Sequence, residues 1–392
     1  MNETAAAGHL VDPDLHASGA IADVWAWLRR NDPVHWHPED HYPSFWSLTR
    51  YDDVRAVYRD TGTFSSARGV LLRPAEAGAD PGGGLTLALS DPPRHRNLRT
   101  LIARWFTERS ARSLEDEVRA SVRDALAIAF ESGECDFAHD VAARLTFSVI
   151  CRLMGVPESD VDRLFSWTEE AFAAARPLAA DHRIMQYLIE LMDWRAEEPC
   201  DDIMSALVRG TVDRAPLDEF QVLLNCENLI GATENAGLSM ATALVAFLAH
   251  PDEWRRLQED RSLLAPAVEE MLRWASSATH SMRTATRAVD LHGRRIEAGD
   301  RVVLWLPSAN RDAEAFADPQ RFDISRRPNR HLALSVGEHV CIGSALARSQ
   351  ARVLYDEMLT SVADVELAGP IEPLRSIAVN GPAHLPVVLH AR

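Results

Sequence analysis

The spacing of hydrophobic residues along the chain predicts a predominantly helical protein with a minor β component. Apolar positions recur every three or four residues over several long segments, which is the period of an amphipathic helix. These segments are 52–60, 92–106, 111–130, 141–153, 159–174 and 181–194. The longest helical pattern runs from about 217 to 250, ends at Pro251 and would span roughly 45 Å at 1.5 Å per residue. Two further helices are predicted to begin near Pro251 and Pro266.

Strand signals are confined to short stretches at 44–51, 284–306 and 385–389, and another helix is predicted after Gly343. The most loop-like interior stretch, 73–89, is rich in Gly, Pro and Ala. A loop of that length in a compact protein is usually functional or mobile. Because no repeat or flexible linker divides the chain, we expect a single domain over 1–392, with about the first 20 residues flexible.

Composition narrows the class of protein. The formal charge of −17 makes nucleic acid or an anionic membrane an unfavourable partner. We find no run of about 18 apolar residues that would span a membrane, and no basic, apolar leader at the start. The five cysteines are widely spaced without a C-x-x-C pair, which argues against a disulfide framework or a zinc site. The sequence therefore predicts a soluble cytoplasmic enzyme.

One cysteine lies in a distinctive setting. Cys341 is flanked by Gly337 and Gly343, which permit a tight turn, and a strong helix start follows directly. A cysteine before a helix N-terminus is favoured as a thiolate, and a thiolate is the electron-donating axial ligand of some haem proteins. The alternative is a small buried hydrophobic residue, which is the usual role of a lone cysteine.

The segment from Leu334 to Arg348 resembles the cysteine-ligand loop of the cytochrome P450 family, F-x-x-G-x-x-x-C-x-G. Gly337, His339, Cys341 and Gly343 match that pattern. Leu334 and Ser335 depart from the Phe and Gly that the family usually has. The resemblance covers nearly the whole chain from about residue 20 and implies the cytochrome P450 fold. It also implies haem b between the long distal helix and the helix after the cysteine loop, with Cys341 as the iron ligand.

Two other sets of residues match the family in order. Glu270 and Arg273 resemble its E-x-x-R ion pair, for which Arg321 is the expected third member. The resemblance further implies that the haem propionates are bound by four donors, which are His95, Arg99, Arg283 and His339. Each of these alone would be an ordinary surface cation, but buried carboxylates require charge-assisted partners of this kind.

On the long helix, Glu234 occupies the family's acid position and Asn235 the position of its threonine. In the family the acid and the alcohol deliver protons for dioxygen activation, whereas an amide cannot act as a hydroxyl relay. Thr233 is adjacent in sequence but faces another side of the helix. Asn235 is expected to organise a water or to bind a polar substrate group. The alternatives are a proton from a substrate hydroxyl, a different reaction, or, for Glu234, a merely solvated helix face.

The resemblance implies a monooxygenase that uses O2 and receives electrons from an external ferredoxin and ferredoxin reductase. Arg104, Arg348 and Arg352 are candidates for steering the ferredoxin, although they could simply be solvated surface. We expect hydroxylation or epoxidation of an apolar, medium-sized secondary metabolite, either free or tethered to a carrier protein. The alternatives are oxidative coupling or desaturation, a peroxide-driven enzyme, and a catalytically silent docking module. The segments expected to line the pocket are 65–90, 165–185, 225–235, 276–283 and 378–384, with Asn225, Asn228 and His280 as their polar groups.

Overall fold

The computed structural model describes residues 10–174 and 178–392. Its α-helices are α1 (Pro13–Ala17), α2 (Ile21–Asn31), α3 (Tyr51–Arg59), α4 (Arg94–Ile102), α5 (Glu108–Ser113), α6 (Glu115–Ser132), α7 (Arg144–Met154), α8 (Glu158–Ala173), α9 (His182–Glu197), α10 (Ile203–Val208), α11 (Glu219–Ala249), α12 (Pro251–Glu259), α13 (Leu264–Ala275), α14 (Leu306–Ala309) and α15 (Ser344–Ser361). A π-helical segment, Phe137–Ala143, leads directly into α7. Helix therefore dominates, as the hydrophobic periodicity predicts.

The strands form small sheets. They are β1 (Val34–His37), β2 (Phe45–Leu48), β3 (Phe64–Ser65), β4 (Cys135–Asp136), β5 (Thr211–Val212), β6 (Ala215–Pro216), β7 (His280–Ala285), β8 (Val289–Leu291), β9 (Arg294–Ile296), β10 (Arg301–Trp305), β11 (Val362–Leu367), β12 (Glu372–Pro373), β13 (Pro382–His384) and β14 (Pro386–Ala391). The largest sheet has the order β1-β2-β10-β7-β3, and a second has the order β11-β14-β4. Only the β10–β2 pair of the largest sheet is parallel.

Helix α11 organises the fold. Asp218 and Gln221 form a capping box at its start, and Pro251 opens the next helix immediately after its C-cap His250. Its 31 residues are apolar around most of the circumference, which is typical of a helix surrounded by protein. It packs against the π-helical segment, α7 and α13. The closest approach is at Gly237, where an added Cβ would lie 3.1 Å from Ala143 Cα.

The ion pair predicted at Glu270 and Arg273 is completely buried, with Arg273 Nε 2.7 Å from Glu270 Oε2. The prediction that Arg321 is the third member is wrong. Arg326 fills that place, because its guanidinium bonds both Glu270 oxygens. Arg321 is exposed and contributes only its backbone carbonyl, which accepts from Arg273 and Arg326. Asn329 donates a further bond to Glu270 Oε2 at 3.0 Å.

Some boundaries differ from the predicted ones. The pattern at 92–106 divides into α4 and a 3-10 turn, and that at 111–130 divides into α5 and α6. Of the start that we expected to be flexible, residues 1–9 lie outside the described residues, whereas Leu10 is fully buried and α1 follows it. No helix in the described ranges is both long and apolar enough to cross a membrane.

Candidate active site

A large cavity separates α11 from α15 and from the loop before α15, and it encloses about 1010 Å³ including its opening. Its walls are mostly Ala, Leu, Ile and Met. On the α11 side it is lined by Leu229, Ala232, Thr233, Asn235, Ala236, Ser239, Met240 and Ala243, and on the α15 side by Ala333, Leu334, Cys341, Ile342, Gly343, Leu346 and Ala347. Cys341 and the polar residues of α11 therefore face the same space.

The cysteine loop is fixed by its own backbone. The N–H of Cys341 donates to the carbonyl of Leu334 at 2.9 Å. Gly337 has a φ of 82°, and a Cβ there would lie 3.1 Å from the carbonyl oxygen of Tyr58, so this position requires glycine. Gly343, with a φ of −76°, needs no special conformation and acts instead as the N-cap of α15. Of the two glycines in the predicted turn, only Gly337 is thus needed for backbone geometry.

The Cys341 thiol is accessible from the cavity but is otherwise surrounded by protein. Burial is the largest influence and raises the pKa of the Cys341 thiol. The Gly343 N–H and the charges of Arg99 and Arg348 act in the opposite direction on that pKa. The helix-terminus effect expected from the sequence is therefore present but weaker than desolvation. A bound metal cation would supply the missing stabilisation, since a coordinating thiol is deprotonated outright.

Ser335 stands where a glycine is usual in this loop, and its φ of 60° is in the left-handed region. Its hydroxyl oxygen is buried without a hydrogen-bond partner among the described residues. A non-glycine residue in this conformation carries local strain. Serine in place of the usual glycine therefore costs conformational free energy at position 335, six residues before Cys341.

The four predicted propionate donors converge beside the cysteine loop. The rings of His95 and His339 lie 4.1 Å apart between centroids. Arg99 donates from Nη1 to the carbonyl of Val340 at 2.9 Å. Arg283 is buried and donates to the backbone carbonyl of its neighbour Met282, without a carboxylate partner in the described ranges. The structure thus gathers these donors beside the cysteine loop.

This cluster has excess positive charge. Burial and the nearby charge of Arg283 lower the pKa of His339 to about 3. Burial and Arg99 likewise lower the pKa of His95, and His95 Nδ1 is buried without a partner within the described residues. Two carboxylates of a bound group would satisfy these donors. A macrocycle with paired carboxylates and a single protein ligand at Cys341 therefore fits the residues present.

Glu234 is a half-buried acid of α11 and is not among the residues that line the cavity. Burial, followed by the like charge of Glu169 on α8, raises the pKa of Glu234 to about 7. Glu169 has a raised pKa of its own because it too is buried, and its Oε2 lies 3.9 Å from His139 Nε2. Glu234 is therefore no solvated surface acid. It can hold or release a proton near neutral pH.

The structure shows the hydrogen-bond partners of Asn235, which stands at the family's threonine position. Its Oδ1 is buried and accepts no hydrogen bond in the described part of the chain, although the residue lines the cavity. Its backbone carbonyl accepts bonds from two hydroxyls, Ser239 Oγ at 2.8 Å and Ser277 Oγ at 2.7 Å. Thr233 also lines the cavity, but its hydroxyl donates to the carbonyl of Ile230 at 2.7 Å.

The serine pair was missed from the sequence. Ser239 and Ser277 are 2.6 Å apart and both line the cavity. The i,i+4 spacing of Asn235 and Ser239 on a helix was a usable signal for the first of them. Ser277 lies beyond α13, and no local spacing connects it to α11.

The three polar groups expected in the substrate pocket have other functions or partners. Asn225 accepts from the N–H of Leu87 and donates to two backbone carbonyls, which anchors the 73–89 loop to α11. His280 accepts from the N–H of Leu72, and burial lowers its pKa to about 4. Asn228 donates to Glu227. Within the expected 165–185 segment, residues 175–177 lie outside the described residues.

The arginines proposed for ferredoxin steering are already paired. Arg348 forms two bonds with Glu269, Arg104 lies 2.5 Å from Asp201, and Arg352 contacts Glu115. Their charges are therefore largely compensated within the chain. Nearer the cysteine loop, the exposed Arg59 and Arg330 make no ion pair in the described ranges and border a surface pocket.

Comparison with known proteins agrees with this geometry. The protein-family model described as cytochrome P450 matches residues 226–361. The chain is 37% identical to the putative cytochrome P450 126 of Mycobacterium tuberculosis over 97% of both chains. It is 32% identical to the steroid C26-monooxygenase of Mycobacterium bovis, over 95% of this chain and 90% of that one. The crystal structure of P450 OxyD, involved in the biosynthesis of vancomycin-type antibiotics, superposes with a TM-score of 0.90 at 33% identity, over 97% of this chain and 99% of that one. The chain belongs to the cytochrome P450 family of haem-dependent monooxygenases.

Proposed function

We propose that the chain forms a single catalytic domain over 1–392 that binds haem b through Cys341. Its reaction would be hydroxylation or epoxidation of an apolar, medium-sized secondary metabolite. The observation that carries the proposal is that Cys341 and Asn235 line the same apolar cavity, while four cationic or imidazole donors gather beside the cysteine loop. Haem bound in this way supplies the activation of O2 with electrons from a redox partner.

The chain's own residues would hold the group at its edge. His95, Arg99, Arg283 and His339 would bind its carboxylates, whose negative charge would offset the repulsion that, after burial, lowers the pKa of His339. Gly337 allows α3 to pack closely against the loop that carries the ligand. These contacts would fix the ligand loop relative to α3, α4 and β7.

Proton delivery would begin at Glu234. A carboxyl with a pKa of about 7 can both donate and accept a proton near neutral pH. Asn235 would orient a water or a polar substrate group with its unpartnered Oδ1, because an amide cannot pass a proton through a hydroxyl. In this scheme Glu234 exchanges the proton and Asn235 positions its carrier, while Thr233 would contribute only a cavity wall.

The apolar walls support the substrate class. The cavity is lined mostly by Ala, Leu, Ile and Met, and neither Asn225 nor His280 is among its lining residues. A substrate would therefore be bound chiefly through hydrophobic burial, with Asn235 as a polar contact. The similarity to an antibiotic-biosynthesis P450 supports a secondary metabolite, and the similarity to a steroid monooxygenase supports an apolar one.

The electron donor would be an external ferredoxin, reduced by a ferredoxin reductase. Arg59 and Arg330 offer uncompensated positive charge beside the cysteine loop, which suits an acidic protein. We expect Arg59→Gln to slow reduction by ferredoxin at low salt more than Arg104→Gln does. Stopped-flow reduction at several ionic strengths measures this difference. A larger effect of Arg104→Gln would place docking on the surface predicted from the sequence instead.

The haem-thiolate assignment is tested by the reduced carbonyl spectrum of the purified holoenzyme. We expect the thiolate signature in the wild type and in Cys200→Ser, which alters an exposed cysteine as a matched control. Cys341→Ser should lose the signature. A wild-type spectrum without it would overturn the proposal.

Substrate class is tested by titrating the ferric holoenzyme with candidate metabolites while the Soret band is recorded. A low-to-high spin shift with apolar secondary metabolites is expected. No response to any free compound would favour a carrier-tethered substrate or the catalytically silent docking module. Product analysis of Asn235→Thr with a responding compound then separates hydroxylation from oxidative coupling or desaturation.

A further inference from the structure

A second cavity lies behind the first, between the N-terminal helices and the end of α13. It encloses about 780 Å³ including its opening. Gly19, Ala22 and Gln320 are exposed at its border, so it is open to solvent there. The residues that line its interior include Trp25, Arg29, Trp274, Thr279 and Arg311. This space is separate from the Cys341 cavity and has no part in the proposed reaction.

Two arginines face this cavity without a carboxylate partner. Neither Arg29 nor Arg311 makes an ion pair within residues 10–174 and 178–392. Arg311 stacks on Trp274, with its guanidinium carbon 3.7 Å from the ring centroid. Arg29 donates to the hydroxyl and the carbonyl of Ser308. Neither guanidinium therefore has a carboxylate at ion-pair distance among the described residues, although Asp312 acts on Arg29, and Glu270 on Arg311, from farther away.

The nearest acids are already occupied. The carboxylate of Asp312 accepts from the backbone N–H groups of Tyr51 and Glu314. Glu270 is bonded by Arg273 and Arg326. Burial, with the nearby positive charges of Arg273 and Arg29, lowers the pKa of Arg311 to about 9. The cavity therefore has a net positive charge in a protein whose total charge is strongly negative.

Three polar atoms of the lining residues are buried without a hydrogen-bond partner in the described part of the chain. They are Trp25 Nε1, Thr279 Oγ1 and Arg311 Nη1. The indole and guanidinium groups can only donate, and a hydroxyl can donate as well. Leaving such donors unpaired costs free energy, and an uncompensated guanidinium costs more. These donors flank the cavity, and an acceptor-rich, negatively charged occupant would pair with those that it reaches.

We propose that this cavity is a binding site for a small oxyanion, either inorganic phosphate or the carboxylate of a small organic acid. Arg29 and Arg311 supply the charge, and Trp25 and Thr279 supply neutral donors. Guanidinium groups bind carboxylate and phosphate oxygens through paired N–H donors, which suits this ligand class. At a liquid volume of about 30 Å³ per water, the cavity has room for a solute several times larger than water.

The site shares a wall with the Cys341 cavity. Thr279 follows Ser277 and Ala278, which line the larger cavity, and its N–H donates to the carbonyl of Ala378 at 2.9 Å. Asn380 lines the smaller cavity, and its N–H donates to the carbonyl of Ser277 at 2.7 Å. An oxyanion bound here would therefore contact the reverse side of the two segments that shape the oxidation site.

The test is isothermal titration of the haem-loaded enzyme with phosphate and, separately, with succinate at constant ionic strength. We expect one anion per chain and at least tenfold weaker binding in Arg29→Gln and in Arg311→Gln. Thr279→Val keeps the side-chain shape and should weaken binding by a smaller factor. Arg30→Gln is the matched control, because Arg30 is exposed on the same helix and does not line the cavity.

Tighter binding of phosphate than of succinate, or the reverse, shows whether the ligand is inorganic phosphate or an organic carboxylate. Binding of neither anion, with only water in a crystal structure grown with both, would overturn the proposal. Binding that survives both Arg29→Gln and Arg311→Gln, or that Arg30→Gln weakens equally, would show that the anion binds elsewhere. Because Arg311 packs on Trp274, its variant is assessed only if its Soret band and melting temperature match those of Arg29→Gln.

Discussion

Replacing Glu234 with glutamine should make the protein more stable at alkaline pH while impairing its turnover. Burial and Glu169 raise the pKa of this carboxyl from 4.5 to about 7 in the folded protein. The folded state thus binds the proton more tightly than the unfolded state. The resulting destabilisation is absent below pH 4.5, increases between pH 4.5 and 7, and is constant above that. Glutamine is neutral at every pH, so the variant lacks this pH-dependent destabilisation.

The size of the effect follows from the two pKa values. At about 1.4 kcal/mol per pKa unit, the destabilisation of the folded state by ionised Glu234 reaches roughly 3 kcal/mol above pH 7. It is below about 1 kcal/mol at pH 5. Partial exposure of the side chain reduces the pH 5 to 8 difference to about 2 kcal/mol. With an unfolding entropy of about 2.1 cal/mol/K per residue, this corresponds to about 2–3 °C in melting temperature for a chain of this length.

The assay is thermal unfolding of wild-type and Glu234→Gln holoenzyme at pH 5 and pH 8 and one scan rate. The variant's advantage should be larger at pH 8 by the 2–3 °C derived above, while turnover of a responding substrate falls by about 10²-fold. Glu227→Gln, on the same helix, is the control for turnover. An advantage that is equal at both pH values would refute the assignment of a raised pKa to Glu234.

Three further substitutions test the fold around the site. Arg326→Ala removes a partner of the buried Glu270 and should lower the free energy of unfolding by about 3–5 kcal/mol. Arg321→Ala, the control, should change it by less than about 0.5 kcal/mol, and denaturant titration measures both. Ser335→Gly should relieve a left-handed backbone and raise the melting temperature by about 1 °C, measured by calorimetry. Gly237→Ala should cost about 1–3 kcal/mol, because its methyl would press on the π-helical segment, and circular dichroism melts would show the loss.

The helices and the cysteine loop were predictable because their signals are local. Apolar periodicity located α11, and Pro251 marked its end to within two residues. The spacing of Gly337 and Cys341 marked the ligand loop in the same way. Such signals depend on dihedral preferences and on burial of one face, both of which act over a few residues.

Side-chain partnerships between distant segments were not predictable in this way. Arg321 and Arg326 lie in the same irregular stretch, and only the path of that loop decides which guanidinium reaches Glu270. Arg348 looked like free surface charge, but its partner Glu269 lies 79 positions earlier in the chain. Charge in the sequence therefore indicated where cations are, but not which of them remain uncompensated.

The same limit applies to Asn235. The sequence shows that an asparagine replaces the family's threonine, but not which groups surround its side chain. The two hydroxyls nearest to it, on Ser239 and Ser277, both donate to its backbone carbonyl. They hold that turn of α11 and cannot replace the missing threonine hydroxyl without breaking those bonds. The amide oxygen is buried and accepts no hydrogen bond from the described residues, at a cost of about 1–3 kcal/mol if it stays unpaired. A water or a substrate hydroxyl that donates to Asn235 removes this cost. In the proposed scheme, Asn235 therefore stabilises binding of the molecule that carries the proton.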